Sequence, residues 1–235
     1  MGRIDQLSNV INQAIKDKGI FYVIKRASFI WIYFIYYKLF SKKNFIFRGK
    51  LYRYFYDIIN NTWMNERSVE ISIVMKMVNE NKGKRILEIG NVLSNYMNVS
   101  HDIIDKYEKA SNVINQDVVD FKSDEKYDLI VSISTLEHVG WDEKPRDDKK
   151  IPKALENLRN FLKPGGTMIV TLPFGYNKAL NRHLNLGTIR FNEQHYLLRT
   201  GSNSWREASW DEVKETIFGN PYPGANGLII GIDHG

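Results

Sequence analysis

The sequence of 235 residues contains no cysteine. The chain therefore has no disulfide, thiolate zinc site, iron–sulfur cluster or cysteine nucleophile, and it is compatible with a reducing compartment. Hydrophobic residues make up 43% and charged residues 26%, as in an ordinary globular protein, so the composition also excludes a largely disordered chain. At this length we expect one main domain with a small appendage.

Acidic residues are missing from residues 21–56, which hold eight lysines and arginines. The same segment contains 15 of the 30 aromatic residues, so charge and aromaticity change together at one end of the chain. The net charge of +6 arises in this region, and residues 57–235 carry a slight acidic excess. This distribution argues against nucleic acid as a partner of the main body.

Long hydrophobic runs are also lacking. The longest, residues 27–37, has 11 residues, whereas a membrane span needs about 20, and no small-residue cleavage site of a signal peptide follows it. We define residues 1–61 as an aromatic and basic N-terminal arm, for which two interpretations remain. The arm packs on the main domain or a second subunit, or it lies on an anionic membrane surface. We expect a cytoplasmic protein, peripheral at the inner face of the membrane if the second interpretation holds.

From residue 62 onward, helical patterns alternate with short apolar strand patterns, which is typical of βαβ units. One helix is predicted from a Thr62 cap to a stop at Gly83, a second from Ile151 to Leu162, and a short third at 210–218. Strands are predicted at residues 85–90, 102–105, 112–114, 127–133, 167–172, 193–198 and 227–232. The pattern predicts an α/β fold with a doubly wound, mostly parallel sheet and helices on both faces.

Polar residues follow several of these predicted strands. Glu88 and Gly90 end the first strand, Asp105 ends the second, Asp117 follows the third, and residues 134–138 follow the fourth. In open parallel sheets, ligands bind beyond the carboxyl ends of the strands, where the strand order reverses. Carboxylates accept hydrogens from ribose hydroxyls and exocyclic amines, so the three acids favour a nucleoside-like ligand. Each acid taken alone could instead cap a helix or close a turn.

Four segments resemble the class I methyltransferases that use S-adenosylmethionine. Residues 86–90 (ILEIG) resemble the first motif of that family, 115–121 (NQDVVDF) the segment whose acid faces the adenine, 127–139 (YDLIVS followed by LEHV) the fourth strand and its exit, and 162–166 (LKPGG) the turn before the fifth strand. The match covers about residues 84–175. It implies a Rossmann-like, seven-stranded sheet in residues 62–235, with S-adenosylmethionine over its carboxyl edge and an acceptor bound by the C-terminal half.

The resemblance also implies a set of cofactor-binding residues: Glu88, Gly90, Asn91, Asp105, Asp117, Val118 and Ser134. The chain departs from the family where Val92 and Ser94 replace the further glycines that usually follow the first. In addition, Asp105 lies only 17 residues after Glu88, which leaves little room for the usual helix, and Asp102 is its rival as the ribose-binding acid. A non-catalytic nucleotide-binding or scaffold protein of the same fold is therefore one alternative.

Glu137 and His138 leave the fourth strand where a general base for a hydroxyl acceptor is expected, and an imidazole titrates near neutrality. In the alternative interpretation, Glu137 caps or pairs locally and His138 lines the pocket without titrating. No metal is expected, because the pair has no third and fourth ligand nearby. The acceptor-binding candidates, which could equally be solvated loop residues, are Tyr176, Arg182, His183 and Arg190.

The expected reaction is O-methylation of a small or membrane-associated acceptor, such as a sugar hydroxyl of a surface glycan. A second alternative is an RNA methyltransferase that uses the basic arm as its electrostatic footprint. Before the first strand, the polar cluster at residues 63–70 is interpreted as a lid over the cofactor or as a salt-bridged helix start.

Overall fold

The computed structural model describes residues 12–13, 15–41 and 43–235, so the first eleven residues of the predicted arm lie outside it. The α-helices are α1 (Ile20–Phe40), α2 (Arg67–Glu80), α3 (Lys150–Asn160), α4 (Lys178–Asn185) and α5 (Trp210–Val213). The strands are β1 (Asn44–Phe47), β2 (Lys50–Arg53), β3 (Ile86–Ile89), β4 (Asp102–Ile104), β5 (Val113–Ile114), β6 (Tyr127–Ile133), β7 (Leu162–Pro173), β8 (Glu193–Gly201), β9 (Ser204–Glu207) and β10 (Gly227–His234).

One sheet in the order β5-β4-β3-β6-β7-β10-β8-β9 forms the centre of the protein. The first five strands of this order are parallel, and β10 is antiparallel to both of its neighbours. The predicted Rossmann-like α/β sheet is confirmed. The sheet has eight strands rather than seven, because β8 turns back at residues 202–203 and adds β9 at the edge.

The strand order reverses next to β3. The chain moves outward from β3 to β4 and β5, and then returns to β6 on the other side of β3. Two neighbouring strands whose chains leave in opposite directions open a crevice at their carboxyl ends. The link from β3 to β4 is short, as the spacing predicts, and contains only the 3₁₀ turn Leu93–Asn95. This short link leaves the carboxyl ends of β3 and β4 close to the crevice.

Each face of the sheet has its own apolar core. On one face, α3 and α4 pack through residues such as Leu155 and Leu180 against Ile130 and Val170. On the other face, α2 packs together with the β1–β2 hairpin. Helices therefore cover both faces, as predicted, and the hairpin supplies part of the second layer.

The predicted arm divides into two parts with different packing. Phe45, Phe47 and Tyr54 are buried in the core beside α2, and the Tyr54 hydroxyl accepts a hydrogen bond of 2.8 Å from the backbone N–H of Trp205. The hairpin thus belongs to the main body, and the change in packing lies near residue 43 rather than at the predicted boundary after residue 61. The packing interpretation of the arm holds for the hairpin.

Helix α1 remains outside the core, with Phe34 as its one buried residue. By length and composition alone, it is the one helix in the described part of the chain that is long and apolar enough to cross a membrane. The sequence predicted no span because its longest apolar run ends at Arg26 and Lys38. The helix continues through both charges for 21 residues.

The predicted start of the helix before β3 is wrong by four residues, because α2 begins at Arg67 and its cap is Glu66 instead of Thr62. Thr62 lies instead in the 3₁₀ helix Ile59–Met64. Its side-chain oxygen accepts a hydrogen bond of 2.7 Å from the Asp57 backbone N–H and donates one of 2.9 Å to the Phe55 carbonyl. The hydroxyl therefore joins the segment after the hairpin to the segment before α2.

Replacing the buried Thr62 by Val should remove both hydrogen bonds while nearly preserving volume. We expect the free energy of unfolding to fall by about 1–3 kcal/mol, because the Asp57 N–H loses its partner. Urea denaturation measures the change, with Thr62→Ser as the control that keeps the hydroxyl. Equal stability of the Val variant and the wild type would contradict this role.

Candidate functional site

A cavity of about 450 Å³ lies at the reversal of the strand order. Its volume is within the usual range of small-molecule sites. It is lined by Ile89, Gly90, Ile104, Asp105, Lys106, Tyr107, Gln116, Asp117, Val118, Thr135, His138, Val139, Asp142 and Glu143. The structure thus brings together five of the predicted site residues: Gly90, Asp105, Asp117, Val118 and His138.

Gly90 allows β3 and β6 to approach each other at this point. Its φ of +82° lies in the left-handed region, and a Cβ atom there would overlap the Thr135 side chain. Its backbone N–H donates a hydrogen bond of 2.8 Å to the Ile104 carbonyl. A glycine is required here because both the backbone conformation and the space exclude a side chain.

Glu88 holds the turn after β3 through its carboxylate. One of its carboxylate oxygens accepts hydrogen bonds from the N–H groups of Val92 and Leu93, at 2.9 and 2.8 Å. The other lies 2.7 Å from His101 Nε2, and the side chain is fully buried. With the loop held in this way, Val92 has an ordinary helical conformation that needs no glycine. The structure places Glu88 outside the cavity lining, where it positions the turn.

Asn91 and Ser134 also point away from the cavity lining. The Asn91 side-chain amide donates a hydrogen bond of 2.8 Å to Glu108 Oε1. The Ser134 hydroxyl donates one of 2.5 Å to Glu70 Oε1. These two predicted cofactor residues, like Glu88, bind neighbouring protein groups.

Asp105 and its rival Asp102 lie at opposite ends of β4. Asp102 begins the strand, where its carboxylate accepts hydrogen bonds from Arg85 at 3.3 Å and from the Tyr127 hydroxyl at 3.0 Å. Asp105 follows the strand and lines the cavity. Its Oδ1 accepts from the N–H groups of Tyr107 and Glu108, both at 2.8 Å. The geometry favours Asp105 over Asp102 as the acid that reaches a ligand.

Asp117 belongs to a cluster of alternating charges at one end of the cavity. Its Oδ2 lies 2.6 Å from Lys150 Nζ and 2.8 Å from Lys106 Nζ. Glu143 Oε2 lies 2.5 Å from Lys150 Nζ and 3.2 Å from Lys106 Nζ. Burial opposes ionisation of Asp117, but the hydrogen bonds from Lys106 and Lys150 outweigh it and lower the pKa of its carboxyl. Asp117 is therefore a charged acceptor held rigidly beside Val118.

The polar cluster at residues 63–70 does not form a simple lid. Arg67 donates a hydrogen bond of 2.8 Å to the Ile133 carbonyl and a weaker one of 3.4 Å to the Ser134 carbonyl. Glu66 accepts a bond of 2.9 Å from the Ala225 N–H. Glu70, fully buried, accepts from the Ser134 hydroxyl. The cluster fastens the start of α2 to the end of β6.

His138 forms a compact group with Asp142 and Tyr176 at the cavity. The His138 Nδ1 atom lies 2.6 Å from Asp142 Oδ2, and the Tyr176 hydroxyl donates a bond of 2.8 Å to the same oxygen. The rings of His138 and Tyr176 meet edge to face, 4.8 Å apart. Although burial opposes it, the bonds from His138 and Tyr176 lower the pKa of Asp142. Burial and the bond to Asp142 raise the pKa of Tyr176 to about 12.

Glu137 lies beside His138, on the Nε2 side of the imidazole. It is 2% exposed, is absent from the cavity lining, and its Oε2 has no hydrogen-bond partner among the described residues. Its Oε1 lies 3.5 Å from His138 Nε2. Burial raises the pKa of its carboxyl well above the usual range, and the nearby Glu70 carboxyl adds to the effect.

The remaining acceptor candidates lie apart from the cavity. Arg182 and His183 bind the side chain and the carbonyl of Asp148, at 3.3 and 2.8 Å. Arg190 lines a second cavity of about 530 Å³, and its carbonyl accepts a bond from Arg159, which pairs with Asp233 near the amino end of β7. Arg190 lies far from the first cavity because it precedes β8. The chain returns across the sheet face to begin β8 at the amino edge of the sheet. Of the predicted acceptor residues, only Tyr176 contacts His138.

Sequence reasoning missed Lys106, Lys150 and Asp142. A signal existed for Asp142, which follows His138 by four residues just after a predicted strand. The others are recognised only from the packing of the loops. No group of three or more metal-ligating side chains occurs among the residues that the structure describes.

Replacing Glu137 by Gln tests its burial through the dependence of stability on pH. The raised pKa means that the folded state holds the Glu137 proton more tightly than the unfolded state, whose value is near 4.5. The stabilisation that comes from this raised pKa is fully present below pH 4.5. It is lost as the pH rises from 4.5 through the pKa of Glu137 in the folded state. In that window we expect wild type to lose up to about 1.4 kcal/mol per pH unit relative to Glu137→Gln. Chemical denaturation at several pH values measures this, and parallel curves would contradict it.

The chain matches a family model and is similar to several solved structures. A family model described as a methyltransferase domain matches residues 66–210, more than half of the chain. Among solved structures, an N-methyltransferase, NodS, from Bradyrhizobium japonicum in complex with S-adenosyl-L-homocysteine shares 13% identity, with a TM-score of 0.46 over 72% of this chain and 86% of that one.

Two further similar structures have lower scores. An S-adenosylmethionine-dependent methyltransferase from Clostridium acetobutylicum has 13% identity and a TM-score of 0.37, over 71% of this chain and 91% of that one. A sugar N-methyltransferase from a Streptoalloteichus species has 12% identity and a TM-score of 0.36, over 72% and 88%. No curated protein matches the chain. On its match to the family model, the chain belongs to the class I methyltransferases, whose cofactor is S-adenosylmethionine.

Proposed function

We propose that the protein is an O-methyltransferase that acts on a hydroxyl of a small or membrane-associated acceptor, such as the sugar of a glycan. The observation that carries the proposal is the His138–Asp142 pair at the cavity, with 2.6 Å between His138 Nδ1 and Asp142 Oδ2. A hydroxyl must lose its proton when it becomes an ether oxygen, and an oriented imidazole is suited to take that proton. The cavity itself is present and lined by charged acceptors, which supports a binding-competent enzyme over a scaffold that has lost its ligand.

The residues of the cavity fit S-adenosylmethionine. Asp105 uses one carboxylate oxygen for the loop and keeps the other for ligand hydroxyls. Asp117 and Val118 lie beyond β5, where the adenine would be held, and Gly90 keeps the turn after β3 free of a side chain. When bound, the cofactor supplies an electrophilic methyl group on a sulfonium with a neutral leaving group. The chain binds it and positions the acceptor, which accounts for much of such a rate.

We assign the base to His138 rather than Glu137. Asp142 accepts the Nδ1 hydrogen, which leaves Nε2, 3.5 Å from Glu137 Oε1, as the ring nitrogen that can take a proton from the acceptor. The negative charge of Asp142, which its lowered pKa maintains, stabilises the imidazolium that results. Glu137 is excluded from the cavity lining and lies beside Nε2 of the imidazole. Tyr176 holds the Asp142 carboxylate and offers a ring edge near the acceptor.

Replacing Asp105 by Asn should weaken binding of S-adenosylmethionine by about 1–3 kcal/mol, because a charged acceptor becomes a neutral amide. The amide oxygen of Asn still accepts from the Tyr107 and Glu108 N–H groups, so the loop should persist. Titration calorimetry measures the affinity. Asp102→Asn, at the other end of β4, is the matched control and should bind as wild type does. Equal affinities for all three proteins would remove Asp105 from the site.

The proposed reaction can be tested with S-adenosylmethionine carrying a labelled methyl group and two acceptor sets, alkyl glycosides and alkyl amino-sugar glycosides. We expect label in methyl ethers from both sets. Label found only on the amines would contradict O-methylation, while a failure to bind the cofactor at all would contradict the methyltransferase itself.

On an alkyl glycoside that reacts, His138→Gln should lower kcat by about 10²–10⁴-fold with little change in cofactor affinity. The rate of wild type should rise with pH through one ionisation that is absent from the variant. Asp142→Asn should retain part of the activity. It keeps the imidazole of His138 and changes only its orientation and the negative charge beside it. Near-full turnover by His138→Gln would show that positioning alone drives the reaction.

A further inference from the structure

Helix α1 exposes apolar side chains around most of its circumference. Only Phe34 is buried, whereas Phe21 is 86% and Phe40 74% exposed, and ten further large apolar residues of the helix are exposed as well. Soluble monomers rarely expose an apolar surface of this extent, which marks a binding surface. At 1.5 Å per residue, the 21 residues extend about 31 Å, close to the roughly 30 Å thickness of a hydrocarbon core.

Charged residues in α1 are placed near its two ends. Lys38 lies in the last turn, and Lys25 and Arg26 lie about one and a half turns from the start. The long aliphatic stems of Lys and Arg allow their charged groups to reach an interface from such positions. The charge pattern is therefore compatible with a bilayer around the central part of the helix.

The final turns of α1 attach it to the main body at the carboxyl edge of the sheet. The Tyr37 ring lies 5.0 Å from the Trp63 ring, and its hydroxyl donates a bond of 2.9 Å to Ser202 Oγ. Ser202 follows β8, which runs in the same direction as β7 because both are antiparallel to β10. The base of the helix and the candidate active site consequently share one edge of the sheet.

A small cavity of about 240 Å³ lies at this base. It is lined by three cations, Lys38, Lys43 and Arg53, and by the aromatic residues Tyr54, Phe55 and Tyr56. None of the three cations forms a salt bridge within the described part of the chain, and residues 21–56 contain no acid that could provide one. The cavity is thus a cationic site without an internal counter-ion.

We infer that Lys38, Lys43 and Arg53 bind the phosphate headgroup of an anionic lipid at the base of a bilayer-inserted α1. Two independent features support the same occupant at the same place: an unpaired cationic cavity fits a phosphate, and the apolar helix that leads away from it fits the acyl chains. Tyr and Trp side chains such as Tyr36 and Tyr37 at the base suit the headgroup level. The attachment would hold the open edge of the sheet toward the membrane, where a lipid-linked acceptor is presented.

Flotation of the full chain with vesicles tests this inference without cofactor or acceptor, so its outcome is independent of the proposed reaction. We expect binding to vesicles of phosphatidylcholine with phosphatidylglycerol, and weaker binding to phosphatidylcholine alone. The variant Lys38→Gln/Lys43→Gln/Arg53→Gln should partition into the anionic vesicles about 100-fold less strongly, at roughly fivefold per cation. Added salt should also weaken the binding of wild type to the anionic vesicles.

The matched control removes the same charge elsewhere, at the exposed lysines Lys82, Lys122 and Lys126, which lie toward the amino edge of the sheet. Its partitioning should stay within about threefold of wild type, because these groups lie beyond a screening length from the headgroups. Equal losses in the two triple variants would overturn the site in favour of general charge attraction. Unaltered circular dichroism and melting confirm that each variant is folded.

Three other results would also overturn the inference. Inorganic phosphate, added at constant ionic strength, could bind wild type and not the triple variant while leaving vesicle binding unchanged, which would assign the cavity to a free anion. The variant Lys38→Gln/Lys43→Gln/Arg53→Gln could bind the anionic vesicles as wild type does, which would leave insertion of the apolar helix as the sole cause of binding. The chain could stay in solution as a discrete oligomer with vesicles present, which would assign α1 to a second copy of the chain.

Discussion

The amino end of α2 is fastened to the carboxyl end of β6 by hydrogen bonds, two of which are short. Arg67 donates to the Ile133 carbonyl at 2.8 Å, and the Ser134 hydroxyl donates to Glu70 at 2.5 Å. Ser134 has a φ of +38°, a conformation that a non-glycine residue holds only when its surroundings impose it. These bonds fix the direction in which the chain leaves β6. Thr135 therefore lies against Gly90, and His138 reaches the cavity.

The same fastening connects the exposed helix to the site. Trp63, which contacts Tyr37 of α1, precedes α2 by only a few residues, so the base of α1 and the exit of β6 are held by one continuous segment. If α1 inserts into a bilayer as we infer, the site has a fixed orientation to the membrane surface. An acceptor attached to a lipid would then need no release into water before reaching His138.

Strand positions and much of the cavity were predictable, because they depend on local pattern. The β-branched run 127–133 forms β6 with the predicted bounds, and residues directly after strands, such as Asp105 and His138, line the crevice. The predictions that failed concern contacts between residues that are distant in sequence. The partner of the Thr62 hydroxyl lies before the helix that it was expected to cap, and Arg190 follows the register of β8 to the opposite edge. Glu88 faces its own turn, which the motif alone does not reveal.

Hydrogen–deuterium exchange with and without S-adenosylmethionine tests the central claim, that the ligand lies where β3, β4, β5 and β6 end. The account predicts slower exchange on addition of the cofactor in two segments that line the cavity, residues 104–118 and 134–143. Residues 184–196, around the second cavity, should exchange as before. Protection confined to that second cavity, or unchanged exchange throughout at saturating cofactor, would contradict the account.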